Sequence, residues 1–128
     1  MNAERGTLNE EQARGILRHL PVQLTFADEH DVLMYWNVDD DCDPRYIGGD
    51  VRDCHPKETL PTLERILGEF KAGRRDLAEG WREISGRFNL LHYIAIRDEA
   101  GDYKGILEVS IDLTDYRRLE GEQALPGW

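Results

Sequence analysis

Few residues of this chain have the types and spacing that chemistry needs. Asp53-Cys54-His55-Pro56 sets a thiol beside an imidazole, two donors soft enough to ligate iron. Its proline suits the first turn of a following helix. A lone histidine is a weak metal signal, and the plainer roles are packing for Cys54 and a hydrogen bond at a helix entrance for His55. Glu108 stands among Ile106, Leu107, Val109 and Ile111, where a carboxylate must find donors. Three roles stay open for it: exposure at an edge, an internal bond to Tyr93, Gln23 or Thr25, or an anchor for a polar or cationic ligand. Asp39-Asp40-Asp41 lacks the D-x-D-x-D-G spacing and the closing glutamate of a calcium loop, so it reads as a solvated connection. There is no Ser/His/Asp arrangement, no phosphate-cradling glycine loop beside a lysine and no metal triad of sensible spacing, and catalysis finds no support.

Composition narrows the classes further. At 128 residues, 40% hydrophobic and 33% charged, the chain is expected to form one globular domain with a single core. Twenty-six acidic against 16 basic residues give a formal charge of −10, which disfavours nucleic acid and anionic membranes as partners. No apolar run approaches the ~20 residues of a membrane span. Met1-Asn2-Ala3-Glu4-Arg5 lacks an apolar signal core. Cys42 and Cys54 make neither a disulfide framework nor a CxxC zinc pair. The expected location is a reducing cytoplasm.

The elements that must position these residues follow from periodicity. Leu8, Ala13, Ile16, Leu17 and Leu20 recur at helical spacing up to Pro21, and Thr7-Leu8-Asn9-Glu10 has the form of a capping box, which predicts a helix over about residues 8–19. Val22–Ala27 and Asp31–Asn37 are β-rich runs around Asp28–Asp31. Leu60, Leu63, Ile66, Leu67 and Phe70 mark the main helix, Lys57–Gly73, with Gly73 as its stop. Asp76–Ile84 reads as a strand. Arg87–Arg97 and Lys104–Leu113 then flank the glycine-bearing turn Asp98–Asp102 as an antiparallel hairpin. Asp115–Gln123 is compatible with the start of a signalling helix, and Trp128 could be exposed or fold back on the sheet.

That last hairpin carries a resemblance. Arg97-Asp98-Glu99-Ala100-Gly101 and Asp112-Leu113-Thr114 resemble the "RDxxG" turn and terminal D-[IL]-T signature of PAS domains, over roughly Leu20 to Arg118. The resemblance implies an α+β fold: a five-stranded antiparallel sheet in order 2-1-5-4-3, helices on one face and an N-terminal helix on the other. Residues 1–19 would be that helix, 20–118 the PAS domain and 119–128 a tail. Ile47-Gly48-Gly49-Asp50-Val51 fits the turn before the long helix; its likeness to the GGD of a cyclic-dinucleotide synthase lacks the surrounding domain. Cys54-His55-Pro56 and Ala78-Glu79-Gly80-Trp81 are similar to "CHP" and "AExW" segments of a PAS subfamily joined to hemerythrin-like domains.

By analogy with the phase of the flavin-binding LOV branch, Gln23, Thr25, Asn89, Leu91, Tyr93, Glu108 and Ser110 face a ligand cavity. Trp81 is counted among its lining residues, and His92 faces the opposite, helix-covered side. The cofactor is left open, with haem through His55 as a minor alternative. Flavin–cysteine adduct chemistry is not supported, because Val51–Pro56 lacks the N-C-R-F-L-Q motif. The implied function is a non-catalytic sensory module that binds a small molecule between the long helix and the sheet and transmits through Asp112–Thr114 and the flanking helices. Its alternative is an interaction domain whose core is filled by its own side chains. Val22, Leu24, Phe26, Leu90, Ile94, Ile96, Val109 and Ile111 would form an apolar outer face, so the expected assembly is a homodimer, with an effector in cis or in trans.

Overall fold

The computed structural model describes residues 5–37 and 43–125. The aspartate run at 39–41, Cys42 and Trp128 lie outside the described residues. Helix α1 (Glu10–His19) opens the chain. Its capping box is built by Asn9 and Gln12, not by Thr7 and Glu10: Asn9 Oδ1 accepts from Gln12 N at 2.7 Å, and Gln12 Oε1 accepts from Asn9 N at 3.1 Å. Asparagine is the better N-cap, and it moves the helix start inward. Leu20 closes the helix just before Pro21.

Strands β1 (Gln23–Asp28), β2 (Leu33–Trp36), β3 (Leu77–Ile84), β4 (Arg87–Arg97) and β5 (Tyr103–Asp112) form one antiparallel sheet in the order β2-β1-β5-β4-β3. This is the expected α+β fold. The β1–β2 turn is set by Asp28, whose Oδ1 accepts from His30 N and Val32 N. The β4–β5 turn repeats the device: Asp98 Oδ1 accepts from Ala100 N and Asp102 N, and Gly101 takes the positive φ the turn needs. Strand β2 is shorter than the β-rich run. Just before it, Val32 bridges to Asp50, so the chain after β2 doubles back on the hairpin.

The main helix α2 (Leu60–Lys71) starts later than Pro56 suggests. Pro56 introduces a 3-10 turn, Lys57–Thr59, and Pro61 occupies the first turn of α2 itself. Gly73 at φ +74 ends it, with Arg74 N reaching back to Glu69 O. Leu63, Leu67 and Phe70 are buried on one face of α2 and join Ala27, Val51 and Ile106 in the core. Among the described residues the opposite face of the sheet is only partly covered. No residue of α1 is buried, and Ile16 remains 49% exposed. The helix is tied down by Asn37, whose Nδ2 donates to Leu17 O and Val22 O while its Oδ1 accepts from Leu24 N.

After β5 the expected helix does not form. A 3-10 turn, Thr114–Tyr116, is followed by irregular chain through Leu125. Gly121 sits at φ +65, and Leu119 and Leu125 find no core, being 72% and 79% exposed. A segment this short gains too little from its own hydrogen bonds to nucleate alone.

One buried carboxylate joins α2 to the hairpin. Asp31, 6% exposed, accepts from Lys71 Nζ at 2.8 Å and from Arg52 Nη1 at 3.0 Å. Removing its charge leaves Lys71 without its partner and Arg52 with Asp50 and Glu64 alone. Asp31→Asn is therefore expected to lower unfolding free energy by about 1–3 kcal/mol, read from urea denaturation; an unchanged stability would show that the junction holds nothing together.

Candidate ligand cavity

The concave side of the sheet and α2 enclose two adjoining cavities. The smaller, about 310 Å³, lies over β1, β5 and β4; the larger, about 590 Å³, opens between α2 and the edge strand β3. His55, Thr59, Arg82, Leu91 and Tyr93 border both. Alternation along each strand decides which residues reach this space. Gln23, Thr25, Leu91, Tyr93, Glu108 and Ser110 come together in the lining of the smaller cavity.

Glu108 is the polar centre. It stands opposite Thr25 on β1 and Tyr93 on β4. His55, carried in by the 3-10 turn Val51–Cys54, places Nε2 3.5 Å from Glu108 Oε2. The His55 side chain is 12% exposed, and that of Glu108 28%. Tyr93 is held in its neutral form well above the ordinary phenol range, first by burial, then by the Glu108 charge and its hydrogen bond to that carboxylate. Of the partners expected for Glu108, Tyr93 and Thr25 stand beside it in the sheet, and His55 adds a further one. A haem bound through His55 Nε2 would have to displace this carboxylate. Among the described residues no group of three or more His, Cys, Asp and Glu could hold a metal ion.

Two residues of the expected lining stand apart. Asn89 shares the concave face, but its amide is used within the sheet, donating to Arg87 O and accepting from Ser110 Oγ. Trp81 pairs with Leu90, which puts it in the phase of the outer face; it is 66% exposed and touches only the rim of the larger cavity. His92 lies in that outer phase too, as expected, and its Nε2 meets Glu79 Oε2 at 2.5 Å. Periodicity missed Trp36, Thr59, Arg82, Ala78 and Gly80. The last three lie on alternate positions of β3 facing the cavity, so reading β3 in the phase opposite to Trp81 would have found them.

At the far end of the same strands, Asp112 closes a clasp. Arg87 Nε donates to Asp112 Oδ2 at 2.8 Å, Thr114 N and Oγ1 donate to Asp112 Oδ1, and Phe88 N donates to Thr114 Oγ1. The Arg87 hydrogen bond, followed by those from Thr114, holds Asp112 down at about 2.

The comparisons agree with this architecture. A PAS domain family model matches residues 14–114, and the chain belongs to that family. A crystal structure of a C-terminal domain from Streptococcus mutans is similar at 31% identity and TM-score 0.83, covering 94% of this chain and 96% of that one. A sensory box sensor histidine kinase from Vibrio cholerae superposes with TM-score 0.58 at 17% identity, over 80% of this chain and 89% of that one. The PAS domain from Bordetella pertussis BvgS gives 0.53 at 22% identity, over 82% and 85%. Both share the fold. No curated protein matches the chain.

The Glu108–Tyr93 contact makes a titration prediction. A phenol raised above its usual ~10 stabilises the fold fully below that pH, and the contribution is lost as pH climbs through the raised value. Ultraviolet difference titration should therefore show two late-ionising tyrosines: Tyr103, pushed up by burial to about 12, and the still later Tyr93. Glu108→Gln should shift the Tyr93 midpoint downward without restoring the ordinary value, since burial remains. An unchanged midpoint would place the Glu108 charge away from the phenol.

Proposed function

We propose that this PAS domain is a non-catalytic sensory module that takes up a small molecule between α2 and the sheet. The observation that carries the reading is the pair of cavities: space left open beside a half-buried polar group, Glu108 with His55 and Tyr93, in a domain this small. A core filled by its own side chains would leave neither the volume nor a reason to maintain a carboxylate there. Occupancy would act on β4 and β5, which run without a break to the Arg87–Asp112–Thr114 clasp, and the signal would leave through the termini to an effector.

The module is further proposed to work as a homodimer. Phe26, Leu90, Ile94, Val109 and Ile111 on the outer face are only half-buried, and Leu77 and Ile16 beside them are about half-exposed. A second copy would remove this surface from water through one self-complementary contact. The chain's net charge of −10 opposes this weakly, because salt screens it over ~10 Å.

Native mass spectrometry after gentle purification should find a retained small-molecule adduct, and sedimentation at micromolar concentration should find a dimer that dissociates when residues 1–19 are removed. Bare protein mass together with indifference to added metabolites would favour the self-filled interaction domain. A full-length monomer would refute the assembly.

A further inference from the structure

We propose that the larger cavity is a site for an organic anion, a carboxylate, sulfonate or phosphate on an apolar body, with its charged group between Arg65, Arg75 and Arg82. The inference rests on the reading of the cavity as a ligand site and adds the chemistry of what enters it.

The charges around the opening support it. Arg65 on α2, Arg75 in the α2–β3 connection and Arg82 on β3 all line this cavity. Among the described residues, none of the three guanidinium groups makes an ion pair or a hydrogen bond. The carboxylates nearby are already engaged. Glu69 binds Arg74 at 2.8 Å, Glu79 meets His92, and Glu108 behind the cavity faces His55. In a chain with ten more acidic than basic residues, the opening thus carries three arginines without an ion-pair partner against two lining acids, Glu69 and Glu79, each with its hydrogen-bond partner elsewhere. Guanidinium groups present a planar fork that suits carboxylate, sulfonate and phosphate oxygens in pairs.

The interior fits the other half of such a molecule. Leu63, Ile66 and Phe70 of α2 form one wall and Leu91 with Tyr93 the other. Across from Tyr93 and Leu91, β3 carries only Ala78 and Gly80. A Cβ built on Gly80 meets nothing within 4 Å. The space is therefore real, and a side chain at position 80 would occupy it without backbone strain. Orientation follows from Glu108, whose negative charge behind Tyr93 keeps an anionic group at the outer end and the apolar body inward.

Two fluorescent probes sharing a ring system separate the claims: 1-anilinonaphthalene-8-sulfonate, an anion, and N-phenyl-1-naphthylamine, its neutral counterpart. Both should bind wild-type protein, and Gly80→Leu should abolish the binding of both, with circular dichroism confirming a folded variant. The Arg65→Gln, Arg75→Gln, Arg82→Gln triple variant should weaken the sulfonate at least tenfold and the amine less than twofold. Amide shifts at Leu91 and Tyr93 on adding the sulfonate to wild type test the location without a substitution. If the triple variant weakens neither probe, or both equally, while Gly80→Leu still blocks them, the anion assignment fails and the cavity reading stands. If both probes ignore Gly80→Leu and leave Leu91 and Tyr93 unshifted, they bind elsewhere and both readings fail.

Discussion

Two cations on one buried carboxylate fix the distance between α2 and the sheet. Asp31 occupies the last position of the β1–β2 turn at φ +64, a left-handed conformation that aspartate tolerates better than most residues. Its backbone carbonyl accepts from Val51 N while its side chain holds Arg52 and Lys71. Arg52 is shared with Asp50 and Glu64, and this network raises its pKa, the Glu64 hydrogen bond contributing most. One junction thus gathers the hairpin, the 51–54 turn and both ends of α2. Val51 reaches the core and His55 reaches Glu108 because the turn between them is held here. A carboxylate buried without such partners would cost more than the helix packing returns.

Close approach on one side of the sheet accompanies the open space on the other side of the domain. Gly105 interrupts β5 at φ +151, and a Cβ there would stand 2.3 Å from Ala27 O and 2.6 Å from the Phe26 ring. Only glycine lets β1 and β5 pair at that point, beside the buried Ala27 and Ile106. Tight packing at this end seals the core beneath Leu67 and Phe70. Toward β3 the same sheet carries Ala78 and Gly80, and α2 is left spanning a gap. The larger cavity is therefore a consequence of residue size at the β3 edge, where Ala78 and Gly80 face α2.

What the sequence disclosed follows the same division between local and distant causes. Alternation in Arg87–Arg97 located β4 to the residue, a pattern written in neighbouring residues. The phase of β1, β4 and β5 came from the resemblance to the LOV branch, and Gln23, Thr25, Leu91, Tyr93, Glu108 and Ser110 do line one cavity. The meeting of His55 with Glu108 was not legible, because it depends on a turn anchored through Asp31 and Arg52. Asn37 was read as the end of a strand, although its side chain is what holds α1; a buried amide satisfied by three backbone groups leaves no periodic trace. The tail misled for the opposite reason. Its local composition permits a helix, but nothing in the fold supplies the packing a short helix requires.

The cavity and the clasp are linked by geometry along β4 and β5. Tyr93 pairs with Glu108, Leu91 with Ser110 and Asn89 with Asp112, so every second residue pair shares the concave face. Along that face Tyr93 stands against Glu108, Ser110 donates to Asn89, Asn89 donates to the Arg87 carbonyl, and the Arg87 side chain holds Asp112. Only Leu91 interrupts this polar ladder. The D-L-T signature is its last rung: Asp112 fixes Thr114, and Thr114 caps the first amide of Phe88, so the chain leaves the sheet in one direction. Under the proposed function, a molecule seated against Tyr93 would act on the segment that follows β5 through the paired strands themselves, and only if its affinity differs between two arrangements of the clasp. The solvent-exposed ionic rung at Arg87 is the part of that route most open to screening by salt.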